Sequence, residues 1–227
     1  MMGRNILKIA VVLGFLAAVG GVLLLVQSSG VLRGGNRVVV AFTDIPQNHR
    51  HRSQILAAVN AGLLEPTTST TFGPGDPVTR AQFAVALAKT MSWSVGPDEK
   101  EVFSDVEGGS GKVDTADYIA VAAQKNIMSG QAGDPPKFLP GQPVTLDQAF
   151  RVMMRAAGDR IAEPSQIDTA IAATTWSDEL KKAVQAAKDA KILDDSGITP
   201  GATDFSQPLT KEMAAVILAN LRRALGV

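Results

Sequence analysis

Three threonines mark the places where this chain could bind an anion. The pairs that they begin are Thr79-Arg80, Thr145-Leu146 and Thr210-Lys211. Each threonine stands directly before an apolar helical pattern, and free N–H groups at a helix start attract carboxylate or phosphate. Arg80 adds a planar fork that suits a carboxylate, whereas Lys211 adds a charge without a fork. The pattern therefore predicts one strong anion site at Arg80, a weaker one at Lys211 and an altered one at Leu146.

The same threonines are also explained as helix caps without any ligand, and the sequence does not decide between the two interpretations. Gln82 and Gln148 lie three residues after Thr79 and Thr145, the spacing of a capping box. Thr210 is followed at that distance by Met213, which cannot complete the box. Each cap stabilises a helix by about 0.5–2 kcal/mol, so the spacing alone does not require a ligand.

Other reactive side chains do not form a recognisable site. His49 and His51 alternate with arginines, which favours a solvated basic loop that touches anionic polymer or lipid over a metal site. Asp114, Asp117 and Asp134 have no spacing that pairs them as acid and base, so surface carboxylates are the expectation. The sequence predicts no catalytic residue, no metal, no cofactor and no enzymatic activity.

A repeat organises the chain. The three threonines recur at almost equal spacing, and each follows a loop that begins with phenylalanine, namely Phe72, Phe138 and Phe205. Phe42-Thr-Asp44 and Phe103-Ser-Asp105 open the first two copies, and Trp176-Ser-Asp178 echoes them in the third. Each aspartate is expected to cap the segment that follows it. We call residues 38–99, 100–162 and 163–227 segments one, two and three.

Two helices are predicted in each segment. Apolar residues at helical spacing indicate first helices around Ile55, Ile119 and Val184, and second helices over about 79–91, 145–157 and 210–225. Gly62 and Gly130 are expected at the ends of the first two of these helices. One segment is too small to bury much apolar surface, so the three are expected to share one mainly α fold.

Composition narrows the possible partners. The 227 residues include no cysteine, and the formal net charge is zero. Residues 1–36 hold three basic residues and no acidic one, so residues 37–227 hold 19 basic and 22 acidic residues. A body with that balance has no overall field that would attract nucleic acid, and an anion would need a local site.

The N-terminus predicts export. An uncharged run from Ile9 to Val26 follows Arg4 and Lys8 and just meets the length of a membrane span. Residues 1–28 are predicted to be a signal-anchor or transmembrane helix, with a cleaved signal peptide as the alternative. Residues 29–37 are predicted to be a flexible linker, and the body is expected in the cell envelope, outside the cytoplasm.

The repeated pattern resembles the S-layer homology domain, present as a triplet over about residues 38–227. The resemblance rests on Phe-x-Asp, an apolar helix, and Phe-x-Pro followed by Thr-Arg-Ala-Gln in segment one. It implies a spindle of pseudo-three-fold symmetry that anchors non-covalently to the cell wall. Grooves between repeats would hold secondary cell-wall polysaccharide, which is expected to be pyruvylated, or a peptidoglycan-linked polymer.

The resemblance assigns the ligand-binding residues Thr79, Arg80, Thr145, Thr210 and Lys211, with Arg80 meeting the pyruvyl carboxylate. The chain departs from the pattern at Leu146, and the aromatic residue expected early in the first helix appears as Tyr118 in segment two. A degenerate triplet that contacts envelope proteins and binds no sugar is therefore the alternative function.

Overall fold

The computed structural model describes residues 41–97, 99, 102–109 and 111–227. These residues lie within one compact unit, Arg37–Val227. Within them the structure has seven α-helices, one 3-10 turn at Gly158–Arg160 and no strand. The helices are α1 (Arg52–Asn60), α2 (Arg80–Thr90), α3 (Thr115–Gln124), α4 (Leu146–Ala157), α5 (Thr169–Ala172), α6 (Asp178–Asp189) and α7 (Lys211–Leu225). Segment three has three helices, where two were predicted, because the short helix α5 precedes α6. The mainly α prediction is confirmed for this part of the chain.

The threonines begin their helices as predicted. The Thr79 hydroxyl accepts the Gln82 N–H at 3.2 Å, and the Gln82 side chain accepts the Thr79 N–H at 3.0 Å. Thr145 and Gln148 form the same reciprocal pair at the start of α4. Thr210 accepts the Met213 N–H and has no returning bond from that residue. Two complete capping boxes and one half box therefore start α2, α4 and α7.

The first helices end as expected in segment one and differently in segment two. Gly62 has φ +62° just beyond α1, a backbone conformation that glycine adopts without strain. Beyond α3 the left-handed residue is Asn126, with φ +57°, so the expectation for Gly130 was wrong. Gly130 serves close packing, because an added Cβ would lie 2.6 Å from the Lys137 carbonyl and from the Phe103 ring.

A closed ring of backbone hydrogen bonds joins the three segments just before α2, α4 and α7 begin. The Val78 N–H donates to Leu209, the Leu209 N–H to Val144 and the Val144 N–H to Val78, at 2.8–2.9 Å. All three side chains are fully buried. The ring therefore gathers the starts of α2, α4 and α7 around one buried centre.

Helices of successive segments pack side by side. The principal pairs are α2 with α3, α4 with α6, and α7 with α1, so the last segment closes onto the first. An aromatic pair lies in each segment, with ring centroids 5.9 Å apart for Phe42–Phe72, 5.1 Å for Phe103–Phe138 and 4.5 Å for Trp176–Phe205. Trp176 thus occupies the place that phenylalanine takes in the other two segments.

The predictions for residues 1–28 and 29–37 lie outside the described residues. Over the residues that are described, no helix combines the length and the hydropathy that a membrane span requires.

Candidate functional site

The helix starts do not offer the free N–H groups that the sequence suggested. The first two N–H groups of α2 donate to Gln142 and Pro140 of segment two, at 2.8 and 3.1 Å. Those of α4 donate to the loop of segment three, and those of α7 to the loop of segment one. The next two groups of each helix bond to the threonine hydroxyl and carbonyl. That expectation was wrong, because a loop of the neighbouring segment supplies the acceptors.

Arg80 is held against segment two. Its Nε donates to the Phe138 carbonyl and its Nη2 to the Ser129 carbonyl, both at 2.8 Å. The guanidinium carbon lies 4.6 Å from the centroid of the Phe138 ring, within cation–π range. Burial lowers the pKa of Arg80, and the nearby Asp105 carboxylate opposes that effect. Among the described residues, no acceptor contacts Nη1, so part of the hydrogen-bonding capacity of the guanidinium is unused.

Lys211 repeats the Arg80 arrangement as a buried contact. Its Nζ donates to the Thr67 hydroxyl at 2.7 Å and to the Phe72 carbonyl at 3.3 Å, and it lies 5.8 Å from the Phe72 ring centroid. The Asp76 carboxylate is 3.7 Å away. The residue is only 6% exposed, so its charge is already matched inside the protein.

The third equivalent position carries no polar group. Leu146 follows Thr145 in α4 and is fully buried. Of the three residues that follow the threonines, Arg80 is the partly exposed one, and Lys211 and Leu146 are buried. The structure therefore places the predicted site residues in equivalent positions, and they do not meet in a single pocket.

Two aspartates shape the loops that carry Phe72 and Phe138. Asp44 accepts the N–H groups of Phe72 and Gly73, and Asp105 accepts those of Phe138 and Leu139, at 2.7–2.9 Å. Burial raises the pKa of each carboxyl, but these backbone bonds outweigh it and leave both pKa values below the usual 3.8. The acceptor role was predicted correctly, whereas the partners lie in the loop beyond the first helix and not in the segment directly after each aspartate.

The corresponding aspartate of segment three acts differently. Asp178 is the first residue of α6, and Ser177 caps that helix through the Leu180 N–H. The expectation that Asp178 would play the part of Asp44 was therefore wrong, because α6 begins directly after Ser177.

A cleft of about 330 Å³ lies where α2 packs on α3. The α2 wall consists of Ala81, Gln82, Val85 and Lys89. The opposite wall includes Tyr118, and the Lys89 ammonium lies 5.6 Å from the centroid of that ring. The other lining residues are Gly62, Leu63, Glu65, Val113, Asp114 and Thr115.

A second cleft, of about 440 Å³, lies at the α4–α6 contact, and ion pairs cross it. Glu179 of α6 accepts from Arg155 at 2.8 Å and from Arg151 at 3.4 Å. Arg151 also pairs with Asp147 in its own helix at 2.5 Å. Arg151, Arg155 and Glu179 are therefore matched by one another.

One recurring contact escaped the sequence reasoning. In each segment a side chain donates to a carbonyl just beyond the end of α1, α3 or α6. The donors are Lys89, Arg155 and Asn220, and their acceptors are Gly62, Ile127 and Ile192, at 2.7–3.2 Å. Each donor occupies the tenth position after the capping threonine of its segment. The spacing alone could have indicated the shared role, although the side chains differ in type.

The two histidines lie at an interface rather than in solvent. His51 is 5% exposed, and its Nδ1 lies 2.7 Å from a Glu212 oxygen of α7. The His49 Nε2 lies 3.6 Å from the same oxygen. The prediction of a solvated basic loop was therefore wrong for His51, which helps to join α1 to α7. No metal-binding cluster of acidic or histidine side chains occurs within the ranges that the structure describes.

Two of the carboxylates expected on the surface have a structural role. Asp114 caps α3 and Asp117 returns the bond, which makes a third capping box. Asp117 is only 2% exposed and also accepts the Glu99 N–H at 2.8 Å. The expectation of unengaged surface carboxylates was wrong for this pair.

Part of the chain matches a known family. An S-layer homology domain is found at residues 41–84, which include α1, the Asp44-supported loop and the start of α2. The chain is also similar to S-layer protein sap of Bacillus anthracis, with 25% identity over 190 residues. That match covers 82% of this chain and 22% of the length of the relative.

Proposed function

We propose that residues 38–227 anchor the chain non-covalently to a cell-wall polymer. The observation that carries this proposal is the S-layer homology domain at residues 41–84, continued by the similarity to an S-layer protein over most of the chain. Both support cell-wall anchoring in general. The proposal involves no catalytic step.

The ligand chemistry is proposed from Arg80. Its Nη1 is free of acceptors within the described part of the chain, and its other two nitrogens hold it in one orientation over Phe138. A carboxylate such as a pyruvyl group on a wall polysaccharide would form a charge-assisted bond there. Thr79 would position Arg80 by starting α2. Thr145, Thr210 and Lys211 would keep the related role of fixing the loops beside the other two helix starts.

The wider architecture belongs to the same proposal. Segments 38–99, 100–162 and 163–227 would be three S-layer homology repeats, arranged as a pseudo-three-fold spindle around Val78, Val144 and Leu209. Residues 1–28 would attach the chain to the membrane or direct its secretion, and residues 29–37 would be the linker. The chain would then lie outside the cytoplasm and connect the membrane with the wall.

A second function, contact with an envelope protein and no sugar, is favoured by the groups that the protein already uses itself. Lys211 is buried against Thr67 and Phe72, and Leu146 is fully buried. If Arg80 likewise serves only to join α2 to segment two, the three segments form a scaffold whose partners are proteins.

Co-sedimentation with purified wall sacculi tests the proposal. The fragment 37–227 is suitable because its described residues form one compact unit with its own core. We expect it to pellet with sacculi and to stay in solution after the secondary polymer has been removed chemically. Failure of the folded fragment to pellet with untreated sacculi would overturn wall anchoring.

Arg80 variants test the site separately. We expect Arg80→Ala to weaken pelleting about tenfold or more, which is a loss of about 1.4 kcal/mol or more. Lys125→Ala is a matched control, because it removes a cation that lies 5.6 Å from the Trp93 ring, away from the helix starts. Circular dichroism and a thermal melt would show that both variants are folded. Equal pelleting of the two variants would remove Arg80 from the site and favour the scaffold function.

A further inference from the structure

Lys211 has a carboxylate of its own chain beside it, whereas Arg80 is held by neutral groups. The Lys211 Nζ lies 3.7 Å from Asp76 Oδ2. The Thr67 hydroxyl joins the two groups, because it accepts from Lys211 at 2.7 Å and donates to the Asp76 carboxylate at 2.5 Å. Both hydrogen bonds of the Arg80 side chain end on backbone carbonyls. The two cations that follow capping threonines therefore differ in what the protein itself supplies to them.

The loops that face these two cations make the same backbone contacts. The Asp76 carbonyl accepts the first N–H of α7, and the Gln142 carbonyl accepts the first N–H of α2. Each of these residues also closes a turn, because the Asp76 N–H donates to Gly73 and the Gln142 N–H donates to Leu139, both at 3.0 Å. Asp76 and Gln142 therefore occupy equivalent positions, one with a carboxylate and the other with a neutral amide.

A glycine makes room for the Asp76 carboxylate. Gly73 and Leu139 both have a positive φ, +73° and +60°, so the two turns have similar backbone geometry. A Cβ at Gly73 would overlap the Asp76 carboxylate and the Thr67 hydroxyl. Leu139 carries a Cβ at the equivalent place, so a carboxylate at position 142 could not fold back in the same way. The loop of segment one is therefore shaped to hold its own carboxylate beside α7, and the loop of segment two has no equivalent space beside α2.

The burial of the pair identifies which member an external anion would have to replace. The Lys211 side chain is 7% exposed, whereas the Asp76 side chain is 45% exposed. A buried ammonium needs a partner, since an unpaired buried charge is costly. Lys211 is therefore the fixed half of the pair, and Asp76 is the half that reaches solvent.

We propose that Asp76 is an internal carboxylate that occupies an anion site at Lys211 and closes this site to external carboxylates. Gln142 leaves the equivalent place beside Arg80 without such an occupant. The meaning of this inference for wall binding rests on the proposed function. It explains why one of the two cationic positions would accept a carboxylate of the polymer while the other would not.

Removal of the internal carboxylate should open the site to an external one. We expect sodium formate to stabilise Asp76→Ala in fragment 37–227, because formate can take the vacated place beside Lys211. A formate concentration ten times the dissociation constant would raise the melting temperature by roughly 3–6 °C. Sodium chloride at the same concentration measures the effect of ionic strength. The wild type retains Arg80 but has no open site at Lys211, so its difference between the two salts is the baseline.

Three further variants identify the group that binds formate. Asp76→Ala/Lys211→Met keeps the space and removes the ammonium, so its response to formate should fall to the baseline. Gln142→Ala is the matched control in segment two and should also stay at the baseline, because no carboxylate is removed there. Asp76→Asn removes the charge and keeps an acceptor for the Thr67 hydroxyl. It gives the same comparison if Asp76→Ala does not fold.

The outcomes separate this inference from the proposed function. If formate stabilises Asp76→Ala no more than it stabilises Asp76→Ala/Lys211→Met, the site at Lys211 is overturned, whatever the sacculus assay shows. Formate stabilisation of Asp76→Ala, combined with a wild type that does not pellet, would support the site and overturn wall anchoring.

The sacculus assay tests whether Asp76 excludes the polymer as well as formate. Arg80→Ala/Asp76→Ala should pellet about tenfold better than Arg80→Ala, since the opened site at Lys211 replaces the one that was lost. Equal pelleting of these two variants, where the wild type pellets, would overturn the role of Asp76 in excluding the polymer.

Discussion

The α2–α3 and α4–α6 contacts show how one backbone arrangement supports two different surfaces. In both, a helix started by a threonine and a glutamine packs on a helix of the next segment, α3 in one contact and α6 in the other. Val85 leaves an open cleft beside Tyr118, whereas Arg151 joins α4 to Glu179. The difference lies in a few outward-facing side chains. The buried framework therefore sets where a groove lies, and the exposed positions set which side chains line it.

The largest expected effect concerns the framework that the two contacts share. Phe138→Ala and Phe205→Ala each remove a ring that is at most 2% exposed, so each should lower the free energy of unfolding by about 3–5 kcal/mol. Urea unfolding of fragment 37–227 measures this. Similar losses for the two variants would show that the contacts rest on equivalent cores. A loss below about 1 kcal/mol for either would show that its loop is not part of the common core.

A smaller loss of stability is expected when Asp105, which fixes the loop that begins at Phe138, is changed. Asp105 fixes the N–H groups of Phe138 and Leu139, and its folded pKa lies below 3.8. A lowered carboxyl pKa stabilises the fold above about pH 3.8, and this contribution disappears as the pH falls through the lower folded value. We expect Asp105→Asn to lower the urea midpoint at pH 7 and to differ less from the wild type near pH 2.5.

Asp204→Asn is the comparison for that measurement in segment three. Its carboxylate also has a lowered pKa, caused by the Ser206 hydroxyl and N–H, but it fixes a single exposed turn. We expect a smaller change in the urea midpoint than for Asp105→Asn. An equal or larger change would mean that the two loops are stabilised alike.

The smallest expected effect concerns the ion pairs of the α4–α6 contact. Glu179 is 52% exposed on its side chain, so its pairs with Arg151 and Arg155 should contribute about 1 kcal/mol or less. We expect Glu179→Gln to cost that amount at low salt and almost nothing at 1 M salt. Glu163→Gln changes an acid that lines the same cleft outside this ion-pair network and should be neutral. A salt-independent loss would show that Glu179 acts through packing.

The sequence predicted the helices better than it predicted the site. Helix starts follow from local chemistry, so the bounds of α2, α4 and α7 and their caps agree with the expectation. The expectation that the N–H groups at those starts would be free was wrong, because their acceptors, such as Gln142 and Pro140, come from another segment. A pattern read within one segment contains no information about such partners.

The candidate site likewise combines features that the sequence shows with contacts that only the structure shows. The place of Arg80 directly after its threonine was visible in the sequence, but its contacts with Ser129 and Phe138 were not. The cleft at Tyr118 depends on Ala81 and Val85, two ordinary helix residues whose importance appears only beside α3. The structural effect of these short apolar side chains, an open cleft, is visible only when the neighbouring helix is known.

The ring formed by Val78, Val144 and Leu209 has a consequence for how the chain folds. Its first member lies in segment one and its last in segment three, so the ring cannot close until almost the whole chain is present. Contacts between residues so far apart in sequence slow folding, and we expect them to make the three segments unfold together. The ring is therefore expected to form late in folding, once the residues around Leu209 are available.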